Sequence, residues 1–291
     1  MIINMNARKW REIKQQIGFM AVQLAAVIIF IILGILLYFI FSRGITVISW
    51  DFLTKMPEKG MTAGGIFPAI LGSFYLTIGA ILFALPLGIL AAIYMTEYAT
   101  QGKIIRIIRI GISNLASVPS IVFGLFGLAL FVNYLKFGVS ILSGSLTLGI
   151  MILPVIIRSS EEALLLVPNG FREASLALGA TKWQTIYKIV LPNAIGGIIT
   201  GAILGVGRVA GETAPILFTA ATFYIRKLPN SIFSEVMALP YHIYALMTEG
   251  SHPKEQKAIA YGASLVLIIM VLGINLLAIF IRNHYRRKKK W

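Results

Sequence analysis

The sequence predicts an all-α membrane protein with six transmembrane helices, and three observations lead to this fold class. The chain has 291 residues, of which 58% are hydrophobic and only 13% are charged, and its mean hydropathy is +0.85. Soluble domains are nearer half apolar and a quarter charged, so most of this chain belongs in a bilayer. Long apolar runs also recur along the chain, and most of its Lys and Arg residues fall on one predicted side of the membrane.

Six stretches are long and apolar enough to be spans, since a membrane helix needs about 20 residues to cross roughly 30 Å of hydrocarbon. The first stretch follows a basic segment and resembles a secretion signal. It is longer than the apolar core of a cleaved signal and has no small-residue cleavage site, so we interpret it as an uncleaved span. The predicted spans are 18–41, 65–94, 116–133, 141–157, 194–223 and 258–281.

The distribution of basic residues predicts the orientation. With six spans, 17 Lys and Arg residues fall on the side of the termini and eight on the other, while Arg208 lies inside the fifth span. By the positive-inside rule, both termini and the long loop between spans four and five are cytoplasmic. We expect a multi-pass membrane protein. Its parts are a basic N-terminus (1–17), a membrane domain (18–281) with a cytoplasmic loop (158–192), and a basic tail (282–291).

Composition and motifs exclude several other functions. The chain has no cysteine, and its three histidines, His242, His252 and His284, are scattered, so we expect no metal site. The net charge of +15 comes from residues that flank apolar spans without an aromatic-interleaved groove, so we expect no nucleic-acid partner. An intramembrane enzyme is disfavoured, because no paired acids and no Ser/Lys dyad face a common cavity. The phosphate-binding loop of ATPases is also missing from the sequence, so the chain cannot hydrolyse ATP by itself.

The loop between spans four and five predicts two short helices joined at residues 179–181. Asn169 follows Pro168 and can start the first helix, which places Glu173 in its first turn, where the helix dipole favours an acid. Gly179 suits the left-handed position that ends a helix, and Pro192 marks entry into the fifth span. We call residues 169–192 the knob. The alternative from periodicity alone is an ordinary amphipathic hairpin at the membrane surface.

The fifth span has a polar face, on which we place Gly197, Gly201, Gly205, Arg208, Glu212, Pro215 and Thr219 by helical spacing. Glycines four residues apart let a neighbouring helix approach closely, so the three glycines are predicted packing residues. An arginine in mid-span costs about 2.5–3.5 kcal/mol on insertion scales, which places Arg208 against a partner or a water-filled path. It can form a structural ion pair with Glu212, bind an anion through its planar guanidinium, or do both.

One further helix is predicted in the loop between spans five and six. Ile232, Val236, Leu239 and Ile243 have helical spacing, which indicates a short helix at the outer membrane surface.

The knob resembles the coupling loop of ATP-binding-cassette importers, whose pattern is Glu-Ala-Ala, three residues, Gly, nine residues, Ile-x-Leu-Pro. Here Ser175 replaces the second alanine, and the spacing otherwise fits throughout. The resemblance implies that the knob receives motion from a separate ATPase. The residues that it assigns to this coupling are Glu173, Ala174, Gly179, Ile189, Leu191 and Pro192.

Residues 114–127 and 208–220 resemble the membrane subunits of phosphate importers, and the Gly-Glu-Thr-Ala-Pro sequence at 211–215 is closer to the PstA type than to the PstC type. The resemblance implies a type I importer transmembrane domain that is a permease and not an enzyme, with Arg208 and Glu212 on the substrate path. It also implies a PstC-type second permease, a cytoplasmic ATPase dimer and an extracytoplasmic phosphate-binding protein, and it implies the cell (inner) membrane of a prokaryote. This chain would bind no cofactor, since ATP and Mg²⁺ would be held by the ATPase.

Two alternatives to a phosphate permease remain open from the sequence. A permease for another oxyanion or an organic solute would share the knob, and the Arg208–Glu212 pair is the feature that would distinguish it. An ion-coupled secondary transporter would work without any ATPase.

Overall fold

The protein is almost entirely helical in the computed structural model, which describes residues 2–100, 102–225, 227–250 and 252–287. The long helices are α1 (Ile2–Gly44), α3 (Phe67–Ile93), α6 (Ile141–Leu165), α9 (Leu191–Val209) and α12 (Pro253–Arg287). The shorter helices are α2 (Trp50–Thr54), α4 (Lys103–Ala116), α5 (Ser120–Gly127), α7 (Asn169–Ala177), α8 (Lys182–Thr185), α10 (Ala214–Thr219) and α11 (Leu239–Thr248). Wider π-helical turns cover Tyr94–Tyr98, Leu128–Tyr134 and Ile186–Val190, a 3-10 turn covers Lys59–Met61, and β1 (Pro57–Glu58) pairs with β2 (Ala63–Gly64).

Helix α6 lies at the centre of the bundle, between α3 and α9. Its side chains Leu148, Met151, Ile152 and Ile156 are fully buried and form the main apolar core together with residues of α3 and α5. Small residues let the neighbouring backbones approach: a Cβ at Gly149 would lie 2.6 Å from the ring of Phe83 on α3. Close backbone approach increases dispersion contact, which holds helices together where lipid tails supply no hydrophobic drive.

Helix α1 stands apart from this core. The apolar part of its 10–44 stretch is not buried within the chain, so its side chains are left to lipid or to another subunit. Only the last turns pack, because Phe39 makes an edge-to-face contact with Tyr261 of α12 and Arg43 lies over both rings. Gly44 lies directly on the backbone of Tyr261, where a Cβ would come within 2.7 Å of the carbonyl oxygen.

The helices agree with the predicted all-α membrane fold, but one predicted span is bent. Within the described residues, five helices are long and apolar enough to cross a membrane, and the number rises to six if the α4–α5 pair counts as one span. The axes of that pair differ by 99°. The predicted third span, 116–133, therefore begins at a sharp corner: α4 ends at Ala116, and α5 begins only after Pro119. Proline causes the corner because it has no N–H and disfavours helical geometry in the residue before it.

The predicted fifth span, 194–223, is interrupted in its outer part. Helix α9 ends at Val209, residues 210–213 form a turn, and α10 begins at Ala214 with Pro215 in its first turn. The prediction that Pro215 and Thr219 share a continuous helical face with Arg208 is therefore wrong. The physical reason is Pro215, which suits the first turn of a new helix and would remove a backbone hydrogen bond from a continuous one.

The segment after α10 also differs from the helix predicted there. The predicted helix through Ile232 and Val236 does not form, because Val236 pairs with Ala221 as an isolated parallel bridge. The helix begins only at Leu239, whose backbone N–H donates to Ser73 Oγ of α3 at 2.7 Å. Chain packing against α3 fixes this segment in an extended form, which local apolar spacing does not reveal.

Both chain ends continue the spanning helices. Helix α1 begins at Ile2, so the predicted basic N-terminus of residues 1–17 is helical from that point. Helix α12 runs to Arg287, and the last part of the predicted basic tail, residues 288–291, lies outside the described residues.

We predict that Gly201→Ala weakens the packing of α9 on α6. A Cβ at this position would come within 1.7 Å of Ser159 Oγ and 2.6 Å of Ser159 Cβ, so rotating the serine cannot relieve the clash. Overpacking of this kind typically costs about 1–3 kcal/mol. Thermal unfolding of the purified protein in detergent should show a lower Tm for this variant.

The matched control for that experiment is Gly207→Ala, on the same helix. The Cβ added there would have its nearest neighbour, Asn275 Nδ2, at an ordinary 3.9 Å. Equal Tm values for the two variants would contradict the close approach at Gly201.

Candidate functional site

The knob is a rigid helix–turn–helix, because both of its inner helix ends are capped. At the end of α7, the Gly179 N–H donates to Leu176 O at 3.0 Å and the Ala180 N–H donates to Ser175 O at 3.2 Å. Gly179 has φ +83°, so these two bonds form the Schellman arrangement that ends a helix at a left-handed glycine. At the start of α8, the side chains and backbone N–H groups of Thr181 and Gln184 cap each other reciprocally.

The first knob helix differs in detail from its prediction. Helix α7 begins at Asn169, but Pro168 is the residue at its N-cap and no side chain caps it. Glu173 is therefore the fifth residue of the helix and lies in its second turn, so its predicted position in the first turn is wrong. Glu173 and Ala174 are both exposed on the knob surface. An exposed acid one turn beyond the helix start is available to a partner, and the local helix dipole stabilises it only weakly.

The second half of the knob is continuous with a spanning helix. Residues Lys182–Val209 form one helical stretch of 28 residues, which passes through the π-helical turn Ile186–Val190 into α9. Ile189 lies within that turn, Leu191 packs against a buried cluster, and Pro192 falls in the first turn of α9, where its missing N–H is tolerated. A displacement of α8 is therefore carried into the membrane by an unbroken helix.

A buried ion pair fastens the knob to the bundle. Arg172 of α7 donates from Nη2 to Glu97 Oε1 at 2.8 Å and from Nε to the same oxygen at 3.1 Å. Its Nη2 also donates to Leu164 O at 2.9 Å, and its Nη1 donates to Val167 O. The side chains of Arg172 and Glu97 are only 16% and 9% exposed. We call this group, Glu97 with Arg172 and the carbonyls of Leu164 and Val167, the clamp.

Sequence reasoning missed the clamp. Its two charged residues are 75 positions apart, and only the fold brings the end of α3 against α7. One available signal is that Glu97 is an acid immediately after a 27-residue apolar helix, where an unpaired charge is costly.

Ser175, the departure from the Ala-containing pattern, joins the two halves of the knob. Its Oγ lies 2.9 Å from Thr185 Oγ1, and Thr185 is buried. The hydroxyl pair links α7 to α8 across the turn, so a serine at this position adds a hydrogen bond that an alanine cannot make.

The outer surface of the knob is unusually apolar. Leu178 is 90% exposed, Tyr187 61% and Trp183 53%, and the last two rings stack on each other. Exposed apolar residues on a polar loop of this kind are typical of a surface that binds another protein.

The charged residues of the fifth span lie at the end of α9. Arg208 is in the last turn of α9 and Glu212 is in the turn that follows, with Arg208 Nε 3.9 Å from Glu212 Oε1. The two side chains are 34% and 19% exposed. Among the described residues, Arg208 makes no hydrogen bond, so at this separation its donors remain available. Glu212 also lines a small cleft between α3, α6 and α11, together with Ser73 and Thr77.

The three predicted packing glycines lie along α6 at increasing distance from the knob. Gly197 lies against Ala163, Gly201 against Ser159, and Gly205 near Ile152 and Ile156. This antiparallel register places Arg208 at the level of the middle of α6. Arg208 therefore lies at about mid-depth of the bundle, with a side chain that is about one-third exposed.

No group of His, Asp and Glu that could hold a metal ion occurs within the described ranges. His242 of α11, which lies outside the spanning helices, is 3% exposed, and neither ring nitrogen has a hydrogen-bond partner. Burial lowers the pKa of His242 from 6.5 to about 4. The ring is therefore neutral at physiological pH and acts as an apolar packing group.

The geometry defines a class of protein. A membrane bundle with a rigid apolar knob, continuous with a spanning helix that carries a charged pair, is the membrane component of a transporter that is moved by another subunit. Residues 84–291 match the family described as "Binding-protein-dependent transport system inner membrane component". The chain belongs to this family of multi-pass inner membrane permeases, and the family predicted from the knob is confirmed.

Two relatives cover most of the chain. The "Phosphate transport system permease protein PstA" of Mycobacterium leprae (strain TN) is 40% identical over 273 residues, which are 91% of this chain and 88% of the relative. The "Probable ABC transporter permease protein YqgI" of Bacillus subtilis (strain 168) is 40% identical over 265 residues, 87% of this chain and 90% of the relative.

Solved structures show the fold. A bacterial alginate ABC transporter in complex with an alginate-bound periplasmic protein matches with a TM-score of 0.66 and 17% identity, covering 92% of this chain and 95% of the other. The MetNI methionine ABC transporter, in an inward-facing form, matches with a TM-score of 0.55 and 20% identity, covering 76% and 94%. The predicted type I importer transmembrane fold is therefore confirmed.

We predict that Gly179→Ala loosens the knob turn. A side chain at φ +83° costs roughly 1–2 kcal/mol, although the space around Gly179 is open. Amide hydrogen exchange across residues 171–190 should become faster. Gly170→Ala is the control, because Gly170 lies in α7 with open space and an ordinary helical φ. Equal exchange rates in the two variants would contradict the left-handed cap.

We also predict that His242 makes the protein less stable in acid. The unfolded chain binds a proton near pH 6.5, whereas the folded chain binds it only near pH 4. The contribution of His242 is therefore complete above pH 6.5 and is lost as pH falls toward 4, by about 3 kcal/mol in total. Unfolding measured against pH should give a shallower loss for His242→Leu than for the unchanged protein. Identical slopes between pH 6.5 and 4 would show that His242 is not buried as a neutral ring.

Proposed function

We propose that the chain is the permease subunit of an ATP-driven importer for inorganic phosphate. Sequence identity of 40% over 91% of the chain to a relative named as a phosphate transport permease supports this proposal. The observation that carries it is Arg208: a guanidinium at mid-depth of the bundle that makes no hydrogen bond within the described residues and lies 3.9 Å from the Glu212 carboxylate. The planar fork of a guanidinium matches phosphate oxygens and stays charged at physiological pH.

The substrate path runs past Arg208 and Glu212 in this proposal. Glu212 limits how tightly an anion is held, because its carboxylate competes for the same guanidinium. A site that conducts must bind well enough to admit the ion and weakly enough to release it. An arginine held at 3.9 Å by a neighbouring acid satisfies both requirements better than an unpaired one.

Movement enters the chain through the knob. In the proposed mechanism, ATP closes a dimer of ATPase subunits, the exposed apolar knob surface follows their motion, and the clamp carries the force to α3 and α6. The continuous helix Lys182–Val209 carries the same motion to Arg208, about 39 Å from its start at 1.5 Å per residue. Glu173, Ala174, Gly179, Ile189, Leu191 and Pro192 are the proposed coupling residues.

The partners follow from this mechanism. We propose a second permease of the PstC type that completes the path, an ATPase dimer beneath the knob, and a phosphate-binding protein on the opposite face. The termini and the knob would face the cytoplasm, as the 17 basic residues on that side favour. The chain itself would bind no cofactor, with ATP and Mg²⁺ held by the ATPase.

Permeases for another oxyanion or an organic solute are the alternative within this family. An organic solute without negative charge would leave Arg208 without a substrate role. The Arg208 variants described below therefore also separate a phosphate permease from a permease for an uncharged solute.

We expect Arg208→Ala to abolish phosphate uptake while the complex still assembles. The chain, its partner permease, the ATPase and the binding protein are co-expressed, and phosphate-stimulated ATP hydrolysis and phosphate uptake are measured in vesicles. Loss of a charge-assisted contact to an anion costs about 1.5–3 kcal/mol, so at least a tenfold drop in uptake is expected. Arg208→Lys should retain charge and lose the bidentate fork, which gives an intermediate rate.

The control is Glu212→Gln, which removes the competing charge and leaves the arginine. If the Arg208→Ala variant is expressed normally and takes up phosphate at the normal rate, Arg208 has only a packing role. Uptake by the purified chain without any ATPase would identify an ion-coupled transporter instead.

A further inference from the structure

A basic cleft lies outside the charged pair of the fifth span. It has a volume of about 620 Å³ and lies between α4 and α6, on the knob side of the bundle. Lys103, Arg106, Arg109 and Ser113 line it from α4, and Arg158 lines it from α6. Two helices from distant parts of the chain therefore direct four cations and a hydroxyl group toward one space.

Most of the charge in this cleft is not neutralised. Arg109 Nε donates to Glu161 Oε1 at 2.7 Å, which balances one cation. Arg158 Nη2 donates to Ser113 Oγ at 2.7 Å, which positions its guanidinium without changing its charge. Within the described residues, no carboxylate forms an ion pair with Lys103, Arg106 or Arg158. Three cations therefore converge on the cleft without a counter-ion among the described residues.

The start of α4 also borders the cleft. Gly102 is the N-cap residue and lines the space, and it has no side chain to cap the helix. The first backbone N–H groups of a helix have no acceptor within it, and they carry the positive end of the helix dipole. This contribution has the same sign as the surrounding side chains.

We propose that this cleft binds a phosphate group. The group belongs either to free phosphate, in which case the inference rests on the proposed function, or to the headgroup of an anionic phospholipid. Arginine forks and a lysine ammonium around one cavity match the oxygens of a phosphate better than they match a single carboxylate.

The surroundings of the cleft are compatible with both sources. The opposite side of α4 carries Ile104 and Ile107, which are 75% and 66% exposed, so α4 is an amphipathic helix suited to the membrane surface and to lipid headgroups. On the other side, Arg158 precedes Ser159, which lies against Gly201 of α9. Arg208 is seven residues beyond Gly201, about 10 Å along the helix, so the cleft lies on the knob side of the proposed path.

The test compares two double variants of the assembled importer. The cleft variant is Lys103→Gln with Arg106→Gln, two exposed residues whose loss leaves the Arg109–Glu161 pair intact. The control is Arg11→Gln with Lys14→Gln, which removes the same charge from exposed positions on α1. In the lipid arm, native mass spectrometry counts phosphatidylglycerol retained from mixtures with phosphatidylcholine. In the phosphate arm, equilibrium dialysis measures radiolabelled phosphate binding in an Arg208→Ala background, which removes the path contact.

We expect at least about a tenfold weaker binding in one arm for the cleft variant, since each lost charge-assisted contact is worth about 1.5–3 kcal/mol. A loss confined to phosphatidylglycerol identifies a lipid headgroup, and a loss confined to phosphate identifies the free anion. Equal binding by the cleft and control variants in both arms overturns the proposal. If the unchanged importer does not transport phosphate, the proposed function is refuted. The cleft assignment still stands in that case if lipid retention falls in the cleft variant and not in the control variant.

Discussion

The attachment of the knob to the membrane bundle depends on the clamp between Glu97 and Arg172. Without it, α7 would be held by its connecting turns and by its contacts with α8, such as the Ser175–Thr185 hydrogen bond, and it would lose its ion pair with the end of α3. The Arg172 guanidinium donates to the Glu97 carboxylate and to two carbonyls at the end of α6, and these contacts together fix its position. Removing one partner of such a buried pair commonly costs about 3–5 kcal/mol, because the other charge is left unpaired. Electrostatics therefore holds the knob to the bundle where α3, α6 and α7 meet.

Two kinds of packing complete the coupling. At the knob end, capping and the Ser175–Thr185 hydrogen bond make α7 and α8 one unit. Inside the membrane, Gly197 and Gly201 let α9 pack closely against α6. The proposed path past Arg208 and the basic cleft nearer the knob lie along neighbouring helices of this bundle.

Much of the fold could be predicted from the sequence, because apolar run length decides which segments cross a bilayer and because Gly179 and Pro192 mark local geometry. The predictions that the structure contradicts failed for identifiable physical reasons. Pro119 and Pro215 fall within the predicted third and fifth spans, but each lies at the start of a new helix. Val236 has helical spacing with its neighbours, yet it pairs with Ala221 in an extended segment. The clamp and the basic cleft join residues 45–75 positions apart, and no local rule brings such residues together.

The exposure of helix α1 affects which substitutions its sequence can accept. No side chain in the apolar window of its 10–44 stretch is enclosed by the rest of the chain, so within this subunit no surface is matched to its shape. For contacts within this subunit, leucine, isoleucine, valine and phenylalanine can replace one another there as long as the helix stays apolar. Contacts within this subunit therefore restrain the sequence of α1 less than that of α6, whose buried side chains must fit their neighbours.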